Sequence, residues 1–410
     1  MLYIYITYFL ISKKVSNIVV FLLALIIISY IAAIVIGKLY VVEDLIDVLH
    51  IIFTATILLI FIHGFNNYKN LTQIDSYYDN SSFQKLIKIL IFIGLVTFLI
   101  NAFITYKAFN ALIAETVVVE EYKNEGGAAS YLETWVNPSI LFLSRLLSPI
   151  GYFSLGLHFF FLAKREKMKT FIFFLISLNI PLLGFHGLSR SAAVQFLLVY
   201  FFYLLYSLPS LSKKVKRRFI VFGGIFLIGA VFLLNIITTS RFESYYNIPI
   251  ESSIQNNELY SVFDYASQWN QNGIVVMDRF SYDKLMYGKS TTPIIEFVGE
   301  RIGLEVVKLP ELRFQYLGDD YDHTFNGVVA TLLYDFGYVF TFLFALLFYK
   351  IVKKNAPVNG VISLDKFISF AYLIPLPLMF FSNNVYSNLS MNLGVIYFLI
   401  ITFFLKRSKK

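Results

Sequence analysis

From Val15 to Gly37 the sequence carries no charged residue, and the same is true from Phe367 to Leu405. An α-helix needs about 20 apolar residues to cross a hydrocarbon layer about 30 Å thick, so runs of this kind leave few alternatives to a membrane span. Of the 410 residues, 58% are hydrophobic and 15% charged, whereas a soluble domain carries about a quarter of its residues as charged types. That much apolar surface cannot be hidden in one water-solvated core and has to be solvated by lipid.

The apolar runs predict an all-α, polytopic membrane protein with about ten transmembrane helices, near 18–37, 45–62, 86–106, 139–163, 170–186, 191–208, 219–237, 326–349, 367–382 and 391–405. Residues 1–410 read as one integral membrane domain, and 238–325 as a large helical loop on the outer, periplasmic side. The first twelve residues are apolar but too short to span, and no small-residue cleavage site follows them. They are expected to lie at the surface or to extend the first helix. No internal repeat, low-complexity tract or heptad array is present.

Orientation follows from Lys and Arg, which are retained in cytoplasmic loops during insertion. Basic clusters fall at Lys13–Lys14, at Lys69, Lys85 and Lys88, at Lys164–Lys169, at Lys213–Arg218, at Lys350–Lys366 and at Lys406–Lys410. This side holds 22 of the 34 basic residues and four of the 26 acidic ones, so both termini are read as cytoplasmic. The net charge of +8 is thus a topology signal and not a nucleic-acid footprint. The lack of cysteine excludes disulfides and thiolate metal sites.

Two outer segments are long, about 107–138 and 238–325, and long loops usually have a task. The second has apolar residues at helical spacing, with Tyr260, Phe263 and Ile274 in one stretch and Ile294, Ile295, Phe297, Val298 and Ile302 in another. It reads as a helical cap resting on the transmembrane helices. Within it Thr292 is an N-cap candidate, with Pro293 at the first helical position.

Several arginines depart from the inside bias. Arg190 lies in the tight turn Gly184–Ser191, Arg241 directly follows the seventh span, and Arg145 sits about two turns inside the fourth. At mid-bilayer each would cost about 2.5–3.5 kcal/mol, so each needs compensation. They either snorkel to lipid phosphates or pair with Glu133, Glu243 or Asp335, or they converge on a phosphate-bearing ligand, which a planar guanidinium can grip with two hydrogen bonds. A turn as tight as that around Arg190 favours the ligand.

Asp335 lies within the eighth span, in Tyr334-Asp335-Phe336-Gly337, and must face an interior or a wet cavity. It is either a structural partner or a substrate contact. The polar run Asp319-Asp320-Tyr321-Asp322-His323 precedes that span. His323 and His186 are the histidines in polar company near the outer surface, while His50 and His158 read as packed or hydrogen-bonded helix residues. The last outer loop contains Asn383 and Asn384 among further amides and hydroxyls. With Trp135 and Trp269 it could bind sugar hydroxyls and stack on pyranose faces. Nucleotide-loop, His-Glu-x-x-His and Gly-x-Ser-x-Gly motifs are absent.

Taken together, the span count, the Ser189-Arg190-Ser191 turn, the large outer loop before the eighth span and the Tyr334-Asp335-Phe336-Gly337 stretch resemble the Wzy-type oligosaccharide repeat-unit polymerases, the O-antigen polymerases. The resemblance implies a GT-C-like bundle in the bacterial inner membrane. Its reaction would be inverting glycosyl transfer from undecaprenyl-pyrophosphate-linked oligosaccharides at the outer face, with no cofactor and no metal. Arginine would stabilise the departing pyrophosphate, and a base would take the acceptor proton. The resemblance assigns catalysis to Arg190, Arg241, His323 and Asp335, and substrate binding to Arg145, His186, Arg279, Asp322, Asn383 and Asn384. Membrane lipid, a chain-length regulator and a flippase are the implied partners. Arg279 and Gly288 only approximate the arginine-to-glycine spacing described for outer loops of some members. An O-antigen ligase shares the architecture and places a histidine before a late span, as His323 is placed. From other classes, a lipid-linked oligosaccharide flippase or exporter and a non-catalytic scaffold remain open.

Overall fold

The structure is a computed structural model, and it describes residues 2–11, 15–69, 71–75, 80–113, 132, 136–186, 190–217, 248, 252–318, 320–321 and 324–407. The expected seventh span, 219–237, lies outside the described residues, as do Trp135, Arg241, Asp322 and His323.

In chain order the helices are α1 (Leu2–Ile11), α2 (Asn17–Val35), α3 (Leu45–His63), α4 (Ser81–Ile113), α5 (Pro138–Leu147), α6 (Ile150–Ala163), α7 (Lys167–Ser177), α8 (Asn179–His186), α9 (Arg190–Ser207), α10 (Asn257–Ser267), α11 (Trp269–Asp278), α12 (Pro293–Arg301), α13 (Leu309–Leu317), α14 (Gly327–Asn355), α15 (Leu364–Leu373), α16 (Pro375–Leu378) and α17 (Leu389–Arg407). Among the described residues the only sheet is a parallel pair, β1 (Gln73–Asp75) with β2 (Val361–Ser363), in register Ile74 to Ile362.

Among the described residues, six helical stretches are long and apolar enough to cross a membrane, beginning with Asn17–Val35, Leu45–Asn67 and Ser81–Asn110 and continuing with Lys167–His186, Ser191–Ser210 and Gly327–Asn355. A seventh is the α5–α6 pair, bent by 43° at Ser148-Pro149, where proline has no N–H to continue the ladder. The protein is therefore membrane-embedded. On α4 the large apolar side chains Ile89, Phe92, Val96, Leu99 and Phe103 are exposed at helical spacing, a stripe suited to lipid contact.

The stretch 367–382, read as one span, is divided in the structure. α15 ends at Leu373, and Pro375 and Pro377 leave only the four-residue α16 beyond it. α1 is a helix separate from α2 and packed on it, with Tyr5 fully buried and its ring 6.2 Å from that of Tyr30, so it does not extend α2.

The chain forms two compact units. The first comprises residues 1–69, 238–356 and 375–392. In it α3 packs closely on α14, where a Cβ added to Gly64 would lie 3.0 Å from Val352 Cγ1. α11 meets the start of α14, where the Tyr334 hydroxyl donates to Val276 O at 3.0 Å. α10 and α11 join α2 through the Lys38–Asp264 ion pair and through Ser29, whose hydroxyl donates to Ala266 O and accepts from Trp269 Nε1. Trp269 is thus a core residue with its ring against Tyr30 and Phe380, and it offers no free face to a sugar.

The apolar residues expected to cap the bundle divide between two halves. Tyr260 and Ile274 are buried, whereas Ile295, Val298 and Ile302 on and just after α12 are exposed. Helical spacing reveals an apolar face but not what covers it.

The second unit comprises residues 70–237, 357–374 and 393–410. Its core joins α4 to α7 and α8, and α6 to α7 and α15, with close approach at Gly94 to Ile176 and at Gly156 to Ile368. Tyr203 on α9 donates its hydroxyl to the carbonyls of Phe367 and Ile368 on α15.

Candidate functional site

The long α14 is interrupted at Gly337, where φ is 70° and ψ 175°. Glycine adopts this backbone at no steric cost, and a side chain would not. A break inside a helix strips carbonyls of their usual i+4 donors, and in an apolar medium each orphan costs several kcal/mol unless it is re-paired. Here three carbonyls of the turn before the break find donors from outside the helix ladder. Thr341 Oγ1 donates to Leu332 O at 2.9 Å, Met286 N to Tyr334 O at 2.8 Å and Gly288 N to Asp335 O at 3.1 Å. The segment 286–288 therefore runs alongside the broken helix and pairs with it, backbone to backbone.

The Asp335 side chain completes the junction. It is 1% exposed, accepts at Oδ1 from Ser290 N at 2.9 Å, and accepts at Oδ2 from the hydroxyls of Ser290 and Thr291, the latter at 2.6 Å. Asn384 Nδ2 then donates to Thr291 Oγ1 at 2.8 Å, and Asn392 Nδ2 to Thr291 O at 3.2 Å and Tyr386 O at 2.6 Å. Asn383 accepts from Asn326 N and donates to Thr324 O, both at 3.0 Å. Three stretches of sequence, 286–292, 324–337 and 383–392, are thereby tied into one polar junction. Thr292 does occupy the N-cap position of α12, with Pro293 following it. Its hydroxyl, however, donates back to Gly288 O at 2.8 Å and does not cap the helix.

A cavity of about 20 Å³, room for about one water, opens beside this junction, with Ser290, Arg313, Asn326, Thr331 and Tyr334 among its lining residues. Arg313 is the cation that the sequence reading passed over. It sits on α13 without a flanking motif, and nothing local distinguishes it from other basic residues of the loop.

The remaining candidates fall as follows. Arg279 is exposed, with Nη1 donating to Leu317 O at 3.2 Å and its guanidinium 4.7 Å from the Tyr321 ring centroid. In the second unit Arg145 is exposed in the last turn of α5, and His186 is buried at the end of α8 with Nε2 3.4 Å from Asn101 O. Arg145 is within electrostatic reach of His186. Arg190 is the first residue of α9, and its side chain lies outside the described residues together with Arg241, Asp322 and His323. The structure thus brings Asp335 and Asn384 together on Thr291 and places Asn383 beside them. Among the described residues no group of three His, Asp or Glu side chains could hold a metal ion.

Asp335, buried and with three donors, is built to hold the turn 288–292 against the broken helix. What the junction offers a ligand is irregular backbone and amide groups at the end of an otherwise apolar helix. Compared with family models, with curated proteins and with solved structures, the chain matches none.

Proposed function

We propose that the protein polymerises undecaprenyl-pyrophosphate-linked oligosaccharide repeat units into O-antigen or capsular polysaccharide. It would do so at the outer face of the bacterial inner membrane, through about ten spans and with both termini cytoplasmic. The observation that carries this reading is the junction at Asp335. Non-helical backbone at membrane depth is tolerated where it is buried in protein or lines a wet cavity, and broken helices of this kind build binding sites for polar ligands. In the proposed topology the junction joins the outer segment to the eighth span, so a lipid-linked glycan in the outer leaflet could reach it. Arg190 and Arg241, with Arg145 and Arg279 in support, would stabilise the charge that develops on the departing pyrophosphate. Asp335 would act as a positioning residue, holding the turn that carries Ser290 and Thr291, and Asn383 and Asn384 would sit at the sugar. A chain-length regulator and a flippase would be partners.

A broken helix is also a feature of transporters, which favours a lipid-linked oligosaccharide exporter as second reading. The test is a deletion strain complemented with wild type or Arg190→Ala, with surface polysaccharide resolved on a gel and membrane levels of each protein verified. The expected result is a core bearing single repeat units in the deletion strain, a full ladder restored by wild type and none by Arg190→Ala. No exposed repeat unit at all in the deletion strain would favour transport, and a full ladder there would end the polymerase reading.

A further inference from the structure

Away from Asp335, the first unit contains a continuous chain of proton-exchanging side chains. His50, on the second turn of α3, is 5% exposed, with a hydrogen bond at Nε2 and a carboxylate at ion-pair distance from Nδ1, although Nδ1 makes no aligned hydrogen bond. Nε2 lies 2.7 Å from the Tyr338 hydroxyl on α14, and Nδ1 lies 2.8 Å from Asp278 Oδ1 at the end of α11. The Tyr40 hydroxyl donates to Asp47 Oδ1 at 2.8 Å and reaches Asp278 Oδ2 at 3.4 Å.

A carboxylate on one ring nitrogen selects the tautomer. With the Nδ1 proton favoured by the Asp278 carboxylate 2.8 Å away, Nε2 presents its lone pair and accepts from the Tyr338 O–H. This is the order of groups by which an imidazole activates a hydroxyl for catalysis. A histidine buried only for packing needs no second polar partner, and a buried charged pair stabilises less than apolar packing would. The two ends of the chain also differ in what they meet. Asp278 is about a third exposed and opens to water. Tyr338 is half-buried, directly follows the break at Gly337, and is flanked by the rings of Phe53 at 5.2 Å and Phe280 at 5.7 Å.

The groups facing this chain are Asp47 and Tyr40 on the carboxylate side and Tyr282 beside Tyr338. Arg279, next to Asp278, is engaged with Leu317 O and the Tyr321 ring. Burial, joined by the Asp47 carboxylate, pushes the Asp278 carboxyl up against the pull of His50.

We propose that Tyr338, His50 and Asp278 form a proton-accepting site whose substrate is the free hydroxyl of an acceptor sugar. The proposal rests on the polymerase reading and places the base here in preference to His323. In the step, the Tyr338 oxygen takes the acceptor proton while its own proton passes to His50 Nε2. The acceptor oxygen bonds to the anomeric carbon of the donor, whose bond to the pyrophosphate oxygen breaks, and the pyrophosphate leaves with the electron pair. The imidazolium, held by Asp278, then returns its proton to water. Tyr338 is the catalytic residue, and His50 and Asp278 act through it.

The test uses the full chain in lipid nanodiscs, with a polyprenyl-pyrophosphate-linked oligosaccharide as substrate, measuring initial rates of chain extension across about pH 5.5–9. Tyr338→Phe is expected to lower the rate by about 10²–10⁴-fold, the usual worth of a positioned acid–base group. Asp278→Asn is expected to lower kcat with KM little changed, and Asp278→Glu, which keeps a carboxylate beside the ring, to restore part of the loss. Phe53→Leu, which alters packing on the same ring but not the proton chain, is expected to stay within about twofold of wild type. Chain extension by wild type with Tyr338→Phe equally active, or with Asp278→Asn as active as wild type, would overturn the proton site and leave polymerisation standing. So would a loss in Phe53→Leu as large as that in Tyr338→Phe. No extension by wild type at any pH would overturn the polymerase reading, and this assignment with it.

Discussion

At Gly337 the α14 backbone leaves helical geometry and two of its carbonyls, Tyr334 O and Asp335 O, are taken by N–H groups of the distant segment 286–288, with the buried Asp335 carboxylate anchoring the turn that follows. At Ser148-Pro149, by contrast, the 43° bend between α5 and α6 is closed by neutral side chains. The Ser148 hydroxyl donates to Ser144 O at 2.6 Å and accepts from Asn101 Nδ2 at 2.8 Å. Asn101 also donates to Asn179 Oδ1 at 2.7 Å and accepts from the Ser144 hydroxyl. Every member of that second set is buried and neutral, so the bend is sealed at little electrostatic cost. The first break needs a carboxylate inside the membrane protein and a strand of polar loop. An ionisable group in that setting is expensive enough that a functional role is the default expectation. The two breaks differ in the chemistry of their re-pairing, ionisable at Asp335 and neutral at Ser148, and it is the ionisable one on which the proposed site rests.

The comparison is most exposed to failure at Asp335. Removing the carboxylate leaves Ser290 N and two hydroxyls buried without an acceptor, and breaking a buried charged set of this kind costs about 3–5 kcal/mol. Asp335→Ala should therefore show the largest loss of the series in thermal unfolding of the purified protein. A loss no greater than that of Asn101→Ala would mean that the carboxylate does not anchor the junction. Gly337→Ala comes next. An alanine would be held at a positive φ with its Cβ 3.1 Å from Tyr282 Cε1, so a loss of about 2–3 kcal/mol is expected. If Gly337→Ala unfolded at the wild-type temperature, the backbone break would not be required by the fold.

Much of the helical plan is legible in the apolar runs. The expected spans 18–37, 45–62 and 326–349 correspond to Asn17–Val35, Leu45–His63 and Gly327–Asn355, because a charge-free run of spanning length has one way to satisfy its backbone in lipid. The breaks are less legible, since hydropathy is the same on both sides of Ser148-Pro149, and the expected span 139–163 passes straight through it. Pro375 and Pro377 were visible, yet the apolar residues around them outweigh the prolines in a hydropathy reading of 367–382. Tyr334-Asp335-Phe336-Gly337 draws attention as a motif, but the role of its glycine depends on a backbone angle. The chain through His50 is the least legible part. Tyr338 lies 288 residues away in sequence, no local pattern links the two, and a lone histidine in an apolar run reads as a packed helix residue.

The smallest effect of the series is expected at the neutral bend, which makes it the sharper half of the comparison. Asn101→Ala removes two donated hydrogen bonds and one accepted bond, all between buried groups. Hydrogen bonds between helices in membranes are worth only about 0.6 kcal/mol on average, because partners are also found in the unfolded membrane state. Three of them, together with a small cavity, give about 2 kcal/mol or less. The Ser148 hydroxyl keeps its bond to Ser144 O, so the bend itself should survive. The informative measurement is activity alongside stability. If the bend is structural, Asn101→Ala lowers the unfolding temperature slightly and leaves the proposed chain extension intact. If activity falls far more than stability, the second unit's polar cluster belongs to the site, and neutrality fails as the criterion that distinguishes the two breaks.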